Sequence, residues 1–155
     1  MTRTFLKYWV PVLIWLAVIF SASGDRASGQ HSSRIIEPIL RWLVPDISPK
    51  KLSVIVHAVR KTAHVTEYAI LALLLFRAVA NVGRSVRAAP SAFPVRAALF
   101  AFALAVLYAM TDEFHQTFVP SRTGQVSDVF IDSFGAAAGL LALWLVGRWQ
   151  KRCQG

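Results

Sequence analysis

The apolar positions of this chain fall into four runs, each bounded by charges. Seventeen uncharged residues, Tyr8 to Gly24, lie between Lys7 and Asp25. Fifteen lie between Arg96 and Asp112, and fifteen more between Asp132 and Arg148. The remaining run holds nine, Tyr68 to Phe76, between Glu67 and Arg77. A helix rises about 1.5 Å per residue, so fifteen residues cover roughly 22 Å of a hydrocarbon core about 30 Å thick. The last three segments must therefore draw ionisable residues into the membrane or its interface.

The pattern predicts an all-α integral membrane fold, a four-transmembrane-helix bundle forming one domain over residues 1–155. The spans are expected at roughly 5–23, 52–79, 93–113 and 127–147. After the first span, Ile35, Ile36, Ile39, Leu40, Leu43 and Val44 recur at helical spacing with Arg34, Glu37 and Arg41 between them. That is an amphipathic segment lying on the membrane surface, broken or started by Pro38. Ser48 and Pro49 read as the N-cap and first helical position of the second span. Pro120 and Gly124 interrupt the chain before the fourth span, which Ser127 or Asp128 should start.

Composition narrows the class. Hydrophobic residues make up 55%, charged residues 16%, and mean hydropathy is +0.50. Such a chain buries apolar surface readily, which excludes disorder. Cys153 stands alone, which excludes a disulfide scaffold. The net charge of +9 would suit a nucleic-acid binder, but the hydropathy would not. The positions of the charges explain it better. Arg3 and Lys7, then Arg77, Arg84, Arg87 and Arg96, then Arg148, Lys151 and Arg152 form three basic clusters without an acid. By the positive-inside rule these are cytoplasmic, which places both termini in the cytoplasm. No nucleic-acid partner is expected. An alternative for the first segment is a signal peptide, with Ser21-Ala22-Ser23-Gly24 as a small-residue cleavage site. Trp9, Trp15 and Tyr8 favour an anchored span.

The charges that shorten the spans carry the candidate chemistry. On the second span His57, Lys61, His64 and Tyr68 form one stripe, flanked by Arg60 and Glu67. The third span ends in Thr111-Asp112-Glu113-Phe114-His115-Gln116, where Asp112 shares a face with His115 and Gln116 and Glu113 points elsewhere. On the fourth, Asp128 is a first-turn acid and Asp132 lies one turn deeper on the same face. Two carboxylates on one buried face repel unless a cation or proton sits between them; Arg122, Lys61 or a divalent metal are the options. That face continues through Gly135 and Gly139, whose spacing lets two membrane helices approach closely. Histidine with carboxylates is an adequate metal set, although the spacing matches no established metal motif. The bland alternative is a packed, internally paired polar face.

These residues resemble the VanZ-like family of bacterial membrane proteins. One matching stretch is Lys61, His64, Glu67 and Tyr68. The other is Asp112-Glu113-Phe114-His115-Gln116 with Phe118, Pro120, Arg122, Asp128, Asp132 and Gly135. The Phe-Ser-Ala-Ser closing the first span, around Ser21 and Ser23, is also similar to the family. The resemblance implies a membrane protein of the cell envelope, and a link to glycopeptide antibiotic resistance through an accessory protein associated with teicoplanin.

Two functions follow as expectations. One is a site for lipid-linked envelope precursors such as polyprenyl phosphates, among other membrane lipids. There Lys61, Tyr68, Gln116 and Arg122 would bind substrate, while His64, Glu67, Asp112, His115, Asp128 and Asp132 would act as acid, base or orienting groups. The other is a non-enzymatic module that alters how drugs or partner proteins reach the surface, its polar residues being structural pairs. A proton-relaying transporter built on Lys61, His64 and Glu67 is a third, weaker option.

Overall fold

A computed structural model describes residues 2–24, 29–84, 94–119 and 124–153. Among them are five helices: α1 Thr2–Ser23, α2 Gly29–Leu43, α3 Pro49–Arg84, α4 Val95–Gln116 and α5 Val126–Cys153. All except α2 are long and apolar enough to cross a membrane. The fold is all-helical, with α2 as the amphipathic segment after the first span.

α2 differs from the expectation at Pro38. The helix runs through it and starts nine residues earlier, at Gly29. Pro38 is exposed, so the carbonyl deprived of its N–H can turn to water, which lowers the cost of an interior proline. Ile39, Trp42 and Leu43 are exposed, Trp42 at 81%. Glu37 and Arg41 pair at 2.9 Å along the same helix.

α3 opens as its capping residues predict, with the Lys51 N–H donating to the Ser48 hydroxyl at 3.4 Å. α5 begins at Val126, slightly before the expected start, with Asp128 in its first turn. The bundle's main contact joins α3 to α5. These are the second and fourth spans, so they run parallel, and small side chains let them meet. A Cβ at Gly135 would stand 2.4 Å from the Val65 carbonyl oxygen, and one at Gly139 2.9 Å from that of Ala69. This is the close approach that the glycine spacing predicts. α4 supplies a second small stripe, Ala101, Ala105 and Ala109, all fully buried.

α1 is tied to the other spans by backbone carbonyls. The Trp15 indole donates to the Glu67 carbonyl at 2.9 Å, and the Tyr108 hydroxyl donates to that of Leu16 at 2.8 Å. Pro11 lacks the N–H that would serve the Lys7 carbonyl within the helix, and Arg77 donates to that carbonyl instead, at 3.2 Å. Val12 and Ile19 are buried in the core. Cleavage after the Ser21–Gly24 stretch would remove both. Large apolar side chains such as Leu13, Phe100 and Phe134 point outward, the arrangement expected where lipid is the solvent.

Candidate functional site

The polar residues gather at the end of the bundle where α1 and α4 finish and α5 begins, level with the middle of α3. Two pairs form a ladder between α3 and α5. Lys61 donates to Asp128 in α5's first turn. One turn deeper, His64 Nδ1 lies 3.2 Å from Asp132 Oδ1, and Asp132 is fully buried. Among the described residues Asp128 and Asp132 thus each have their own basic partner. The spacing explains this: residues 61 and 64 lie on one face of α3, as 128 and 132 do on α5, so a parallel pair aligns them.

A second network closes the ends of α1, α4 and α5. The Ser23 hydroxyl donates to Asp112 Oδ2 at 2.7 Å, and Gln116 Nε2 donates to the same oxygen at 3.0 Å. Gln116 also donates to Glu113 Oε1 at 3.2 Å, while the Gln125 N–H donates to Glu113 Oε2 at 2.9 Å. Glu113 therefore corrects the sequence reading: it does not point away but is buried in the same network. Adjacent residues on a helix diverge by about 100°. Because α4 packs against both α1 and α5, Asp112 can face the one and Glu113 the other. Gly124 makes the return possible, since a Cβ there would stand 2.4 Å from the Glu113 carbonyl oxygen.

The two networks meet at Tyr68, which is fully buried, with its ring centroid 6.4 Å from that of Tyr108. Asp112, Glu113 and Asp132 all lie within its electrostatic reach. The Tyr68 hydroxyl, Asp112 Oδ1 and Asp132 Oδ2 have no hydrogen-bond partner among the described residues. His115 turns toward α1, its ring 4.5 Å from Phe20. Glu67 is half-buried, and its carbonyl receives Trp15. Arg122 and Pro120 lie outside the described residues. No group of three metal-ligating side chains with suitable geometry occurs among the described residues.

Sequence reasoning missed Ser23, Glu113 and Gln125 as site residues. Ser23 could have been found as the polar residue closing an apolar span. Gln125 contributes its backbone, which no side-chain pattern reveals.

The charge balance of the site is acidic. Among the described residues of the two networks, the acids Asp112, Glu113, Asp128 and Asp132 outnumber the basic Lys61 and His64, so hydroxyl or cationic groups suit the interior better than a bare phosphate does. On the lipid-facing side Lys61 stands at the edge of an apolar groove of about 430 Å³, lined also by Thr62, Val65, Phe130, Ile131 and Phe134. Lys61 thus links Asp128 to this groove, which no described acid lines.

Comparison with known proteins gives one result. The sequence model described as VanZ/LLP1 matches residues 8–147, a range that includes every described residue of both networks. No curated protein and no solved structure matches.

Proposed function

The chain belongs to the VanZ/LLP1 family and is a multi-pass membrane protein, and from that premise we propose that its acidic end is a binding site for lipid-linked cell-envelope precursors. The basic clusters orient both termini to the cytoplasm of the inner membrane, so the site faces the exterior. One observation carries the reading: buried carboxylates with unspent oxygens lie around Tyr68 at the same end of the bundle as an apolar groove between α3 and α5, which is lined by Lys61, the partner of Asp128. Ionisable groups at membrane depth are costly and usually mark function. A hydrocarbon chain fits along Phe130 and Phe134. Hydroxyl or ammonium groups of the carried headgroup would be accepted by Asp112 and Asp132. A linking phosphate would lie outside the acids, toward the start of α5. His64, backed by Asp132, is placed to exchange a proton with such a headgroup.

The test combines retained lipid with a phenotype. Protein extracted in mild detergent is weighed by native mass spectrometry beside His64→Ala, Asp128→Ala and Arg122→Ala, and each gene is expressed in a teicoplanin-sensitive host. Wild type should carry a phosphate-bearing lipid that the folded variants lose, with a matching change in susceptibility. Folded variants that keep both the lipid and the wild-type phenotype would remove the proposal.

The two ion pairs favour one rival, a non-enzymatic module whose polar residues only hold helices together. On that reading Lys61→Met and Asp128→Leu each destabilise, the double variant recovers part of the loss, and no phenotype follows once the fold is restored.

A further inference from the structure

At the opposite end of the bundle, a cavity of about 650 Å³ opens between α1, α3 and α5. Lys7 and Arg77 stand at it, with Tyr8 and Asn81, and Leu74, Phe76 and Leu143 are among its apolar walls. No acid lines it. Neither cation has a carboxylate partner among the described residues. Both are gathered on one ring: the Arg77 guanidinium lies 5.1 Å and the Lys7 ammonium 5.7 Å from the centre of Tyr8. The hydrogen bond from Arg77 to the carbonyl freed by Pro11 uses one nitrogen of the guanidinium, and a guanidinium has five N–H donors. Its remaining donors are available to an anion.

The depth is right for a headgroup. Sixteen residues of α3 separate Lys61 from Arg77, roughly 24 Å along the axis, so the two mark opposite edges of a hydrocarbon core about 30 Å thick. We propose that this cavity binds the phosphate of an anionic membrane lipid from the leaflet at the Lys7 end, with the acyl chain along its apolar wall. Lys7 supplies charge, and Arg77 supplies charge with a planar fork that fits phosphate oxygens. The phosphate takes the place that a carboxylate would occupy in a soluble protein. The lipid serves as a wedge joining α1 to α3 and α5, and it is independent of the acidic site at the other end.

The test uses native mass spectrometry of the full chain in detergent with phosphatidylglycerol added, against phosphatidylcholine. The variants are Arg77→Gln, Lys7→Gln and, as a control outside the cavity on the same side, Arg148→Gln, which removes the cation stacked 4.8 Å from Trp144. Wild type should bind phosphatidylglycerol more tightly than phosphatidylcholine. Arg77→Gln and Lys7→Gln should each weaken it by about ten-fold, and Arg148→Gln by less than about two-fold. Lys7 and Arg77 are exposed on different helices, so either folded variant suffices. Equal losses in all three variants would reduce the effect to general surface charge and overturn the proposal. Displacement of the lipid by millimolar glycerol phosphate would overturn it also, by making the site one for free phosphate. Loss of this lipid with the outer-site lipid retained, or the reverse, separates this proposal from that for the acidic site.

Discussion

Replacing Gly135 with alanine probes the contact that aligns both ion pairs. The new methyl would stand 2.4 Å from the Val65 carbonyl oxygen and 2.8 Å from Val65 Cα, and real Cβ contacts essentially never fall below 3.0 Å. Both neighbours are helix backbone, so relief requires α3 and α5 to part. Overpacking of this kind costs about 1–3 kcal/mol, against at most about 1 kcal/mol gained from alanine's helix propensity. With that full offset a net loss of up to about 2 kcal/mol is expected. Gly139→Ala should cost less, because its nearest contact is 2.9 Å. Gly147→Ala should be neutral or slightly stabilising, since nothing lies within 4 Å. The assay is unfolding by sodium dodecyl sulfate from dodecyl maltoside micelles, followed by tryptophan fluorescence or helicity. The midpoints should fall in the order Gly147→Ala, Gly139→Ala, Gly135→Ala. If Gly135→Ala unfolds no earlier than Gly147→Ala, the close α3–α5 approach is wrong, and the pairing of Lys61 with Asp128 loses its geometric basis.

Three further outcomes are expected from the same unfolding assay. Ser23→Ala removes a buried donor 2.7 Å from Asp112 and should cost about 1.5–3 kcal/mol, as for a hydrogen bond to a charged group. Ser21→Ala, whose hydroxyl serves only the Ala17 carbonyl one turn back, should change stability by less than about 0.5 kcal/mol. In the Lys61 and Asp128 cycle the coupling should reach about 0.5–3 kcal/mol; a value near zero would mean that the pair does not act as one unit.

The sequence by itself determined the number of spans, the amphipathic α2 and most of the polar residues that gather at the acidic end. These are readable because lipid imposes a length and a polarity on every crossing segment, and because a charge inside that length stands out against an apolar run. The glycine spacing of α5 likewise announced a close contact. Tertiary structure alone decided who pairs with whom. The sequence left open which cation serves Asp128 and which Asp132; the parallel register of α3 against α5 gives Lys61 to one and His64 to the other. Glu113 looked like the residue turned away from Asp112, and only the packing of α4 between two neighbours brings both inside. Pro38 looked like a break in the amphipathic segment, but exposure makes it tolerable within α2. The hydrogen bond from Arg77 to the Lys7 carbonyl freed by Pro11 joins residues 70 positions apart in sequence. Periodicity reports which face of a helix is polar. The angle, register and separation at which two such faces meet come from the packing of small residues between helices, and those are properties of the assembled bundle.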